Sequence, residues 1–115
     1  MPGNALAPKD NLVDPRRFIG QQMTLRRTRP AVDDDYLVEI AGHVAARILL
    51  VVRANSKKGW AWLITGPSMP REMYQYGGVA QSLDEANIAV RQRFDAWLAW
   101  ALQREGLAIW HYPNP

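Results

Sequence analysis

The apolar positions along the chain change period once. Between residues 36 and 65 they alternate. Tyr36, Val38 and Ile40 fall on one side and Leu37, Glu39 and Ala41 on the other, which is the period-two pattern of a half-buried strand. Residues 44–53 repeat it, with Ala46, Ile48, Leu50 and Val52 facing one way and Arg47, Leu49, Val51 and Arg53 the other. Ala41-Gly42-His43 between them predicts a hairpin turn. The polar run Asn55-Ser56-Lys57-Lys58-Gly59 predicts a second connection, into a strand over residues 60–65. Gly66-Pro67-Ser68-Met69-Pro70 ends that strand, and an irregular loop follows as far as Tyr76. Residues 77–81 are short enough for a closing edge strand.

The period then switches to that of a helix. Ser82-Leu83-Asp84-Glu85 has the form of a capping box, in which the Ser hydroxyl reaches forward and the Glu carboxylate reaches back to satisfy orphan amides. Apolar residues recur at Leu83, Ala86, Val90, Phe94, Trp97 and Ala101, one stripe at helical spacing. Gly106 is a natural stop, so the pattern predicts a helix over residues 83–104. Antiparallel strands followed by one long helix give an α+β, two-layer domain. A three- to four-stranded antiparallel sheet is covered on one face by one long C-terminal helix, and its other face is left exposed or partnered.

Outside this unit, residues 1–30 read as a basic, proline-containing N-terminal arm, residues 31–106 as the α+β domain and residues 107–115 as a tail. The arm is largely irregular, although Asp14-Pro15 is a plausible N-cap and first helical position for a short helix near residues 15–23. Charge separates the arm from the rest. It holds Lys9, Arg16, Arg17, Arg26, Arg27 and Arg29 against Asp10 and Asp14, a net +4, while residues 31–115 carry −1.

Composition adds little beyond exclusions. The chain has 115 residues, 48% hydrophobic and 22% charged, the balance of one globular domain. It has no Cys, which excludes disulfide scaffolds, thiol catalysis and thiolate zinc sites. No charged-then-apolar leader opens it. The most apolar runs, residues 48–52 and 59–66, are far shorter than the roughly 20 residues of a membrane span. A cytoplasmic protein without membrane contact is expected.

The inventory for catalysis is thin. The two imidazoles are His43, read as a solvated turn residue, and His111, read as tail packing between Trp110 and Tyr112. No nucleophile elbow, P-loop or dinucleotide fingerprint occurs. Asp33-Asp34-Asp35 could face a hard cation, but three carboxylates ahead of a strand are usually a solvated cap and the EF-hand spacing is missing. The expectation is a non-enzymatic binding domain with no catalytic residues, metal or cofactor.

Two binding readings remain. Arg16, Arg17, Arg26, Arg27 and Arg29, with Lys57 and Lys58 at a hairpin tip, suit the phosphates of DNA or RNA. Arg47 and Arg53 share one strand face, and Trp60 and Trp62 share another. If those two faces coincide, guanidinium groups and indoles interleave for stacking; if Trp60 and Trp62 face the helix, they are core. The alternative is a protein-interaction module or homodimer. Trp97, Leu98, Trp100 and Leu102 make the end of the helix apolar nearly all round, a band that needs either a second subunit or cover from Phe18, Ile19 and Trp110.

With those residues in view, residues 35–100 resemble a group of small, uncharacterised bacterial proteins. The shared features are Asp35, Gly42, the Arg47-Ile48 pair, Trp60-Ala61-Trp62, Gly78-Val79-Ala80-Gln81-Ser82, Ala86, Phe94 and Trp97. That group has no established activity, so the resemblance carries no function. The stretch from Ala80 to Ala86 is also similar to the sheet-plus-helix DNA-binding domains of the integrase and plant ethylene-response-factor type. That similarity implies DNA contact through the exposed sheet face.

Overall fold

The computed structural model describes residues 11–73 and 75–112. Lys9 and Asp10 of the basic segment, and the closing residues 113–115, lie outside the described residues. In chain order the elements are β1 (Leu12–Val13), a 3-10 turn (Pro15–Phe18), β2 (Met23–Arg27), β3 (Asp35–Ile40), β4 (His43–Val52), β5 (Lys58–Ile64), a second 3-10 turn (Arg71–Met73), β6 (Gly77–Ala80), α1 (Leu83–Leu102) and β7 (Ala108–Ile109). Strands β2 to β6 form one antiparallel sheet in sequence order, and β1 pairs with β7 in a separate two-stranded ribbon. The α+β class is as expected, with one long helix packed on the sheet. The sheet has five strands rather than three or four.

The additional strand comes from the segment read as an irregular arm. Asp14 caps the first 3-10 turn, its carboxylate accepting from the Arg16 amide at 3.0 Å, with Pro15 next in line. No helix continues to residue 23. The turn ends at Phe18, and Gly20 at φ +73° redirects the chain into β2. That strand pairs along β3 from Met23 opposite Ile40 to Arg27 opposite Tyr36.

Turn chemistry explains the hairpins. Ile40 pairs with His43, leaving Ala41 and Gly42 as a two-residue loop with φ of 50° and 79°. Positive φ at both positions matches the right-handed twist of the flanking strands. In the β4–β5 connection the left-handed residue is Ser56, at φ 63°, rather than Gly59. Gly59 instead lies within β5 opposite Val51, where a Cβ would come 2.7 Å from Val79 Cγ1.

The start of α1 follows the capping-box expectation. Ser82 Oγ accepts from the Glu85 amide, and the Glu85 carboxylate accepts from the Gln81 amide, both at 3.0 Å. The helix ends at Leu102, and the left-handed Gly106 follows in the succeeding turn. Its buried stripe packs on two apolar clusters. One is built on Val38, Ala46, Ile48, Trp62 and Ile64 against Ala86 and Val90. The other joins Ile40, Phe94 and Trp97 to Phe18 and Trp110, which arrive from opposite ends of the chain. His43 is 2% exposed and belongs to this second cluster, with edge contacts to the rings of Phe18 and Trp110. The solvated turn residue expected at this position is therefore buried, with Nδ1 3.0 Å from the Ala41 carbonyl.

Candidate interaction surface

Strand register decides which side chains share a face. Tyr36, Ile48, Trp62 and Gly78 lie in one row across β3 to β6, and Leu50, Trp60 and Ala80 in the next. This is the side that α1 covers, so Trp62 is buried and Trp60 packs half-buried beside it. Arg47 sits between Leu37 and Leu63 in a row of the opposite side. The interleaving of Arg47 and Arg53 with Trp60 and Trp62 thus does not occur, because the guanidinium groups and the indoles are on different faces.

The face away from α1 has two halves. Toward β4, β5 and β6 it is apolar: Leu49, Ala61 and Val79 form one row, and Leu63 lies beside them. Leu63 is 43% exposed and Val79 48%. Toward β2 and β3 it is charged but paired. Arg26 and Arg47 flank Leu37 in register, where their aliphatic stems can cover it. Arg26 Nε donates to Glu39 at 3.1 Å, and Arg47 Nε to Asp35 at 2.9 Å. The Asp35 side chain is only 13% exposed. The hydrogen bonds from Arg47 hold its carboxyl below the usual carboxylate range, against the opposing effect of burial.

Carboxylates also meet two other cations of the expected basic arm. Arg27 pairs with Asp33 at 2.7 Å and Arg16 with Asp14 at 2.6 Å. Two members of the Asp33-Asp34-Asp35 run are therefore engaged by arginines. Among the described residues no group of three or more His, Asp or Glu is arranged to hold a metal ion. Arg17, Arg29, Arg53, Lys57 and Lys58 are exposed, but they do not form one patch. Lys57 and Lys58 stand at the β4–β5 turn, together with Arg29 and Arg53, at the end of the sheet where Asp35 opens β3. Arg16 and Arg17 adjoin Phe18, which packs on His43 at the other end.

At the end of α1, Trp97 is fully buried and Leu98 is 8% exposed, both covered by the chain's own core. These two are not available to a second subunit as expected. Trp100 is half-buried beneath the Arg104 guanidinium, 3.9 Å from its ring centroid, and Leu102 is 39% exposed. Phe18 and Trp110 supply the cover, while Ile19 stays 56% exposed. The open-face residues Leu37, Leu49, Leu63 and Val79 were not singled out from the sequence. Their signal lies in the centre of β4, where Leu49 and Val51 alternate with Ile48 and Leu50 so that both sides are apolar between Arg47 and Arg53, which argues for burial or partnering of both faces. No described helix is long and apolar enough to cross a membrane. Comparison with protein-family models, curated proteins and solved structures finds no match for this chain.

Proposed function

We propose that the protein is a non-catalytic interaction module that self-associates through the open face of its sheet. One observation carries this reading: Leu49, Ala61, Leu63 and Val79 form a contiguous apolar area on the side opposite the helix. An apolar centre bordered by charged groups is the anatomy of a protein interface. A second copy is the partner that fits the charges. Arg26–Glu39 and Asp35–Arg47 neutralise each other within the face, which leaves Arg53, at the sheet end beside Val79, as the cation that two copies must keep apart. A two-fold dimer would bury the apolar half of each on the other.

Sedimentation equilibrium of the full chain tests the reading. A dimer that persists at high salt and dissociates in Leu63→Lys and Val79→Lys variants of unchanged circular dichroism is expected. A monomer at all concentrations, or a dimer indifferent to both substitutions, removes it. Nucleic acid is the second reading, favoured by Arg29, Arg53, Lys57 and Lys58 gathering at one end of the sheet. Fluorescence anisotropy with labelled DNA and RNA addresses it. Binding that weakens steeply with salt and is lost in Lys57→Glu/Lys58→Glu supports it, and absence of binding at low salt removes it.

A further inference from the structure

The five-stranded sheet ends in two unlike edges. At one, β2 presents Arg26 and Arg27, and charged side chains on an edge strand oppose pairing with another chain. At the other, β6 carries no charge and no proline, and its Gly78 and Val79 are exposed. The Tyr76 carbonyl accepts from the Ile64 amide at 2.9 Å, so Tyr76 points its backbone groups at β5. Successive residues of a strand point theirs to alternate sides. Gly78 and Ala80 therefore face β5, opposite Trp62 and Trp60, while Gly77, Val79 and Gln81 face away from it. The outward amide of Gln81 is met by the Glu85 carboxylate of the capping box at 3.0 Å. The outward groups of Gly77 and Val79 meet no other described residue. An amide and a carbonyl thus recur at two-residue spacing on an exposed edge, which is the template for an added strand.

We propose that β6 pairs antiparallel with β6 of a second copy, about a two-fold axis through Gly78 normal to the sheet. The outward groups set this register. Gly77 of each copy stands opposite Val79 of the other, and each such pair exchanges both of its hydrogen bonds. The side chains suit the same register. Val79 lies over Gly77 of the second copy on the open face, and the two Gly78 residues meet on the helix side, where opposed residues come closest. The result is one continuous sheet, five strands from each copy. Charge also favours a second copy as the occupant. β6 brings none to the seam, and Arg53 reaches across to Gly59, beyond the Ala80 end of β6. Antiparallel pairing puts its two copies at opposite ends of the seam, about 20 Å apart at 3.4 Å per residue. That is well beyond the screening length of about 8 Å at physiological salt. The pairing does not rest on the face contact proposed above: it leaves Leu49 and Leu63 uncovered and continues their apolar area from one copy to the next.

The experiment is amide hydrogen exchange of the full chain over a range of concentrations, followed residue by residue in nitrogen–proton correlation spectra. The Gly78 and Ala80 amides, turned toward β5, should be protected throughout. Those of Gly77 and Val79 should exchange fast in dilute protein and at least about tenfold more slowly once copies associate. Val79→Pro removes an outward donor that β5 does not use, at a place where an edge strand accepts proline. With circular dichroism unchanged, it should abolish the protection of Gly77. Leu63→Lys separates the two contacts, since it strikes the open face and leaves the edge amides in place. Protection of Gly77 and Val79 that survives Leu63→Lys upholds the edge pair even where the face contact fails. Fast exchange of both amides at every concentration overturns it, as does protection in a chain that sediments as a monomer. Protection that persists in Val79→Pro, or is lost in Leu63→Lys, overturns it too. Should Val79→Pro fail to fold, the concentration profile of the native chain and of Leu63→Lys decides.

Discussion

Phe18 stacks on Trp110, with ring centroids 5.1 Å apart and planes inclined by 22°. The pair brings the segment before the sheet against the segment after the helix. Phe94 and Trp97 of α1 close the cluster edge-on, at 5.6 Å and 6.2 Å from Phe18. Trp110 is further fixed by the bond from its Nε1 to the Val44 carbonyl at 3.1 Å. Phe18, from the segment that reads as a basic arm, and Trp110, from the tail, are therefore part of the core. Phe18→Ala should destabilise by about 3–5 kcal/mol, the range for deleting a fully buried aromatic side chain, and urea denaturation measures it. A loss below about 1 kcal/mol, inside the range of surface substitutions, would mean that the N-terminal segment does not fold with the domain.

Gly66 is the position where no side chain fits. A Cβ there would come 2.4 Å from both the Trp110 ring and the Val44 carbonyl oxygen, and neither group can yield. The ring is locked in the core, and the carbonyl is the acceptor of the Trp110 indole. The Gly66 carbonyl itself accepts from the His111 amide at 2.6 Å. Gly66→Ala should therefore cost about 3 kcal/mol, the upper part of the overpacking range, and should lower the near-ultraviolet circular dichroism of the tryptophans. Gly20→Ala has open space around it and only the positive-φ penalty to meet. Its expected loss is about 1 kcal/mol, which makes it the matched control.

Two turn positions hold residues in a backbone region that their side chains disfavour. Ala41 at φ 50° precedes Gly42 in the primed hairpin, and Ser56 at φ 63° occupies the left-handed place in the β4–β5 loop. Asn tolerates this region and Gly is indifferent to it. Ala41→Asn and Ser56→Gly should each raise stability by about 0.5–1 kcal/mol, seen as a higher thermal midpoint. The two sites are at opposite ends of β4, so the gains should add.

The contrast between α1 and β2 shows what the chain makes legible. The helix announces itself through Ser82, Glu85 and an apolar stripe from Leu83 to Ala101, all local signals that tertiary contacts only reinforce. Strand β2 has no such signal. It is an edge strand, exposed at every position but Met23, and its Arg26 and Arg27 read as charge because their partners Glu39 and Asp33 become neighbours only after folding. The phase of Trp60 and Trp62 is lost for the same reason. Alternation puts both indoles on one side of β5, but only the packing of α1 decides that this side is the interior. The charge split between the first 30 residues and the rest is real in sequence, and in space it is offset in part, by Arg26 on Glu39 and Arg27 on Asp33.

The pairing of Asp35 with Arg47, both within residues 31–115, gives a pH dependence of known sign. Arg47 holds the Asp35 carboxyl below its ordinary value, near 3.9 when unfolded. A carboxylate whose folded value is depressed stabilises the protein above the unfolded value, and that stabilisation disappears as the pH falls through the folded one. In Asp35→Asn this contribution is absent at every pH. The stability difference between the native chain and Asp35→Asn should therefore be constant near neutrality and shrink on acidification below about pH 4. Because Arg47 is half exposed, solvent and salt screen the pair. The difference at pH 7 should be about 0.5–1 kcal/mol and should fall with added salt. Urea denaturation at pH 7, 5, 4 and 3, at low and high ionic strength, measures it. A difference that grows toward low pH would assign Asp35 a raised value and remove the Arg47 bond as its cause.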